Sequence, residues 1–196
     1  NQMKFTTLAA SACLASIADA RMGWGSCPTG LSWATMDKSG MEDFAGTWYE
    51  IQRDRWFPME IGAECVTQEY AMRPDGNMNL WFKGDYSVFG YRYKGSGVGG
   101  QLQDCEDGTP STWSCKATMT NGKSAKESKA VPLNFLAIEK DWAIMYNCWE
   151  KGWVHADFIT VLARNTSLSV KDMVKIRSIV KQQVPDYPMG RGGSMI

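Results

Sequence analysis

Histidine is nearly absent from these 196 residues: His155 stands alone. No C-x-x-C occurs either. Structural zinc sites draw on thiolates and imidazoles at such spacings, so no metal and no other cofactor is expected. Net charge is lacking as well, with 21 Lys+Arg against 21 Asp+Glu. A nucleic-acid binder carries a basic excess gathered into a patch, so nucleic acid is not an expected partner. The one lysine-rich stretch, residues 123–129, also holds Glu127 and reads as a solvated loop. Beyond residue 20 no apolar run approaches the roughly 20 residues that span a bilayer as a helix, so no transmembrane segment is expected. Internal repeats and low-complexity segments are missing too. So is a G-x-S-x-G nucleophile turn, and His155 with Asp157 has no placed nucleophile beside it.

What is present begins at the N-terminus. Asn1 and Gln2 precede Met3 and Lys4, the apolar run 5–17 and then Ala18-Asp19-Ala20. A basic start, an apolar stretch and an A-x-A tripeptide make a secretory signal peptide over residues 1–20, cut after Ala20. Export to an oxidising, extracellular compartment suits a chain with six cysteines. Cys13 would leave with the leader. The other five are Cys27, Cys65, Cys105, Cys115 and Cys148, an odd number, so at least one is left over.

Residues 21–43 read as an irregular N-terminal segment, residues 44–186 as one domain and residues 187–196 as a Gly-rich mobile tail. Within the domain the texture is β. Residues 48–52 are aromatic and β-branched. From Cys65 to Met72, Val66, Gln68, Tyr70 and Met72 alternate with Thr67, Glu69 and Ala71. Pro74-Asp75-Gly76-Asn77 is a turn, and Met78 to Phe82 begins the return strand. Residues 85–94 continue the series, and the glycines of 95–100 suggest a bend at a barrel corner. Residues 101–104 and 112–120 form a hairpin around Gly108-Thr109-Pro110, and 135–139, 142–148 and 155–162 complete the set. About eight short strands with turns between them point to an all-β barrel or sandwich. One helix follows. Ser169 is a plausible N-cap, Val170, Met173, Val174, Ile176, Ile179 and Val180 recur at helical spacing, and Pro185 ends it.

Phe44-Ala45-Gly46-Thr47-Trp48-Tyr49-Glu50-Ile51 resembles the first signature of the lipocalins, G-x-W-Y at the start of the first barrel strand. Val161-Leu162-Ala163-Arg164-Asn165 resembles the third, whose arginine lies against that tryptophan. The second signature is altered: T-D-Y is absent, while Trp142 to Cys148 ends in the expected Y-x-C. Ser26-Cys27-Pro28 and His155-Ala156-Asp157-Phe158 have the character of the branch that includes apolipoprotein D, insect bilin-binding lipocalins and crustacean carotenoid carriers.

The resemblance implies an eight-stranded antiparallel up-and-down β-barrel, a calyx, with one C-terminal α-helix packed on its wall. It implies Gly46, Trp48 and Arg164 as the structural signature and a bridge between Cys27 and Cys148. It places Tyr70, Leu80, Phe82, Phe158 and Thr160 toward a ligand pocket. The family's second bridge needs a C-terminal cysteine that this tail lacks. Either Cys105 pairs with Cys115, which the intervening turn favours and which leaves Cys65 as the candidate free thiol, or Cys65 takes one of them. Nothing in Ala63-Glu64-Cys65-Val66 supplies a cation to activate that thiol, and no catalytic residue is expected. Asn165-Thr166-Ser167 fits the N-glycosylation pattern. The implied function is a secreted, non-enzymatic carrier of a small hydrophobic ligand. The alternative is an extracellular structural protein on the same fold, self-associating as a homo-oligomer through exposed aromatics or an unpaired cysteine.

Overall fold

The computed structural model describes residues 16–18, 21–34, 38–54, 63–74, 78–88, 91–103, 113–120, 125–127 and 131–189. Its elements are β1 (Ser16–Ala18), β2 (Arg21–Trp24), α1 (Lys38–Phe44), β3 (Gly46–Asp54), β4 (Ala63–Met72), β5 (Met78–Val88) and β6 (Tyr91–Gln103). There follow β7 (Trp113–Thr120), β8 (Ala125–Glu127), β9 (Val131–Leu133), β10 (Phe135–Ile138), β11 (Trp142–Lys151), β12 (Val154–Ala163) and α2 (Val170–Gln183).

Antiparallel pairing runs β10-β11-β12-β3-β4-β5-β6-β7-β8. β9 pairs with β7 and the adjoining β10 pairs with β11. The hydrogen-bonded ladder is not closed into a ring: β9 on β7 and β10 on β11 are joined through the chain at Asn134. This is the all-β, up-and-down barrel, with α2 as its C-terminal helix.

The register follows from alternation. Trp48 stands opposite Gln68, and Gln68 opposite Phe82, so these side chains share the interior face. Register shifts break the alternation in four of the described pairings, and two of them border the interior cluster described below. One lies in β3 around Ile51, where Gln52 faces Val161 but Glu50 faces Leu162. The other lies in β4 between Glu64 and Thr67, with Cys65 at a φ of 52°. A bulge adds one residue, so every side chain beyond it changes face.

Local expectations are met in part. The glycines of 95–100 begin at a bulge, since Gly84 stands opposite Ser96 but Tyr86 opposite Tyr93, and then run on straight, with Gly97, Gly99 and Gly100 opposite Lys83, Trp81 and Leu80. Ladder bonds to β5, joined near one end by those to β7, outweigh the roughly 0.5–1 kcal/mol that each strand glycine costs. Residues 21–43 contain two regular pieces. β2 extends β12 past the point where β3 stops pairing with it, satisfying an edge that would otherwise be bare. α1 is held at its last residue, Phe44, which is buried in the barrel. β1, inside the segment expected to be removed on export, pairs in parallel with the end of β3.

There are two cores. Inside the barrel, Phe44, Trp48, Tyr70, Met78, Leu80 and Phe135 form one cluster. Outside, α2 and its C-cap lay Ile176, Val180 and Val184 in one cluster with Leu136, Ile144 and Val161. Ser169 caps the helix, accepting from Asp172 N–H at 3.1 Å. Val170 and Val174, part of the helical apolar pattern, face solvent instead.

Candidate functional site

The barrel interior is built in layers from a closed end. At the base Phe44 stacks on Trp48 at 4.6 Å between ring centres and meets Tyr70 and Phe135 edge-on. The Trp48 indole N–H donates to the Phe44 carbonyl at 2.8 Å. Arg164 lies over the other side of that indole, 3.8 Å from its centre, and donates to the carbonyls of Asp43 at 2.7 Å and Thr47 at 3.3 Å. Gly46, at a φ of 109°, leaves room for it, since a Cβ there would lie 3.1 Å from Arg164 Nη1. Burial pushes the Arg164 guanidinium below its ordinary range while Asp141 opposes that shift, and an arginine stays charged throughout. The three signature residues therefore form one closure. Tyr70 and Leu80, expected toward the pocket, belong to this packed base, and Phe82 packs against it.

Above the base the interior becomes polar. Gln68 Nε2 donates to Glu50 Oε1 at 2.6 Å, and the Tyr70 hydroxyl donates to Gln68 Oε1 at 2.5 Å. Glu50 Oε2 lies 3.8 Å from Arg53 Nε, and Arg53 Nη2 donates to the Ala63 carbonyl. Both charged side chains are nearly inaccessible, Glu50 at 1 % and Arg53 at 9 %. Arg53 stands opposite Thr160, which is on the same wall as Phe158. Farther from the base, Phe158 meets Trp149 edge-on at 5.4 Å.

Sequence reasoning passed over Glu50, Arg53 and Trp149. Glu50 was within reach, because it shares parity with Trp48. Trp149 shares parity with Met145 along β11. Arg53 was not, because the bulge at Ile51 reverses its face.

A second polar group sits outside the barrel wall, under the C-terminal segment. Ile159 N–H donates to Asp54 Oδ2 at 2.6 Å and to the Tyr187 hydroxyl at 3.0 Å, and that hydroxyl donates to Asp54 Oδ2. Tyr146 donates to Asp157 at 3.1 Å. Burial, then the Asp54 carboxylate, push the Tyr187 hydroxyl far above its ordinary pKa of 10.0.

Cys27 and Cys148 are bonded, tying the N-terminal segment to β11. Cys65 is half-buried at the β4 bulge. Cys105 and the side chain of Cys115 lie outside the described residues, and with them the expected second bridge. Asn165 is exposed in the bend between β12 and α2. His155 is buried, its Nδ1 3.1 Å from the Gly25 carbonyl and its ring over Gly23.

No family model matches this sequence, and no curated protein matches it. Solved structures do. Insecticyanin of the tobacco hornworm Manduca sexta is 18% identical, with 83% of this chain and 82% of that one covered at a TM-score of 0.63. Lobster apocrustacyanin A1 is 21% identical, with 83% and 84% covered at 0.57. The amine-binding protein of Rhodnius prolixus, solved as its tryptamine complex, is 12% identical, with 86% and 84% covered at 0.57. These are lipocalin-fold proteins, and this chain has their fold.

Proposed function

We propose that this lipocalin-fold chain is an exported carrier that holds one small, mainly hydrophobic ligand in its barrel and performs no chemistry on it. The observation that carries this reading is the layered interior. An aromatic base closes one end, and a buried Glu50–Arg53–Gln68 cluster lies above it, beneath Phe158 and Trp149. Barrels of about eight strands are filled by side chains or by one small ligand. Ligand pockets are largely apolar with a few convergent polar groups, which is the composition found here. Tyr70 and Leu80 then serve as floor, and Phe82, Phe158 and Thr160 as wall. The ligand's one or two polar atoms face the Arg53 side. The fold's occurrence in an amine-binding protein supports the reading.

Export follows from the leader over residues 1–20, and the Cys27–Cys148 bridge suits an oxidising compartment. Asn165 is proposed as a glycan acceptor because its side chain is exposed.

Native mass spectrometry of the protein recovered from culture medium, with an absorbance spectrum, tests the carrier. A stoichiometric adduct of small-molecule mass is expected. Phe158→Ala should weaken binding of a fluorescent lipophile by roughly tenfold or more, as loss of a buried aromatic contact does. A ligand-free mass together with no lipophile binding would end the carrier reading.

A further inference from the structure

The barrel end opposite Trp48 carries apolar surface that the fold leaves open. β2, β12 and β11 lie side by side there. Met22, Ala156 and Trp149 form one row across them, and Trp24, Val154 and Lys151 form the next. Trp153 stands in the β11–β12 turn, its carbonyl accepting from Gly25 N–H at 2.8 Å. Met22 is 77% exposed, Trp24 83%, Trp153 82% and Trp149 50%. Paired residues share a face, so the Met22 and Trp24 rows belong to the same face as Phe158, which Trp149 touches. The patch therefore borders the open end of the proposed pocket. β2 is pinned under it by the Cys27–Cys148 bridge and by Cys27 N–H donating to Glu150 at 2.5 Å, so Trp24 is held in place.

We propose that this rim docks on a phospholipid bilayer, so that a lipophilic ligand passes between membrane and barrel without crossing bulk water. Three tryptophans, a methionine and the exposed Lys151 make the chemistry of a membrane–water interface: amphipathic rings for the headgroup level and a cation for anionic lipid. The area argues the same way. At about 150–250 Å² for a whole aromatic side chain, these residues offer on the order of 500–700 Å². That is at the upper end of, or above, the largest patch on a typical monomer. Lys151 within the patch makes a second copy of this chain the poorer fit, because lysine is depleted from protein–protein interfaces.

The loading role rests on the carrier reading above, and the test separates the two. Purified protein with its Cys27–Cys148 bridge intact is floated with vesicles of phosphatidylcholine and phosphatidylserine at three to one, while tryptophan emission is followed. Binding with a blue shift is expected. The pair Trp24→Ser/Trp153→Ser should lose at least tenfold in partitioning, and Val170→Ser/Val174→Ser, which removes exposed valines on α2, should lose none. Circular dichroism and thermal unfolding confirm that both variants fold. Binding of a fluorescent lipophile from solution should survive in the Trp24/Trp153 pair, while its rate of transfer from vesicles drops. Wild-type protein that ignores vesicles, or a pair that binds them as well as wild type, overturns the docking site even where the lipophile still binds. So does a concentration-dependent dimer that the Trp24/Trp153 pair abolishes, because a second copy would then own the patch. Lipophile binding that is absent throughout overturns the carrier reading and with it the loading role.

Discussion

Two residues show how much can depend on a single side chain here. Arg164 closes the base by facing the Trp48 ring while its guanidinium donates to the carbonyls of Asp43 in α1 and Thr47 in β3. Arg164→Gln should lower unfolding free energy by about 1–2 kcal/mol, the worth of a partly desolvated cation–π contact, measured by urea titration. Trp48 emission should also shift. Tyr187 acts through its proton. Its folded pKa is far above 10.0, so the unfolded chain releases that proton first as pH rises. Its contribution is complete below about pH 10 and declines above it, as linkage requires. Tyr187→Phe should cost about 1.5–3 kcal/mol at neutral pH, because a buried carboxylate, Asp54, loses a donor. The variant's alkaline limb should be flatter than the wild type's, and a pH series of thermal melts shows both effects.

At the scale of elements, the N-terminal strap is the least expected piece. β2 lies on β12, and the Cys27–Cys148 bridge spans 121 residues of sequence. Replacing both cysteines with serine should cost about 2–5 kcal/mol, measured by chemical denaturation. Hydrogen exchange should rise first at Met22 to Trp24. Gly23 is locked into the same joint, since a Cβ there would lie 2.4 Å from the His155 ring. Most strands were legible because their alternation and turns are local signals. Trp48, Tyr70 and Gln68 could be assigned to one interior face by parity alone. The strap was not legible: residues 21–24 are too short for their alternation to signal a strand, and they become one only because β12 offers an unpaired edge. The glycine run of β6 was legible in part: a bulge lies at its start, and neighbouring strands hold the rest extended. Arg53 was hidden by one extra residue at Ile51, a bulge without a composition signal. Val170 and Val174 satisfied helical spacing, yet α2 is rolled so that Ile176 and Val180 meet the wall.

For the whole molecule, the barrel's two ends do different work. The base is packed with rings and topped by the polar cluster, while the opposite end carries an exposed rim. A ligand that binds only the folded barrel should stabilise it by about 2.7 kcal/mol at a hundredfold excess over Kd. Differential scanning with increasing lipophile should therefore raise the melting temperature, and Phe158→Ala should blunt the rise. The arrangement at the base has one more consequence, which concerns time. β3 pairs with β12, and Trp48 waits for Arg164, so the first strand of the barrel cannot finish folding until the last one exists. During synthesis Trp48 and its neighbours stay uncovered while more than half of the chain is still being made. Folding dominated by such distant partners takes on the order of milliseconds to seconds. Until β12 emerges, β3 keeps one edge unpaired, and only a strand from the far side of the barrel sequence can cover it.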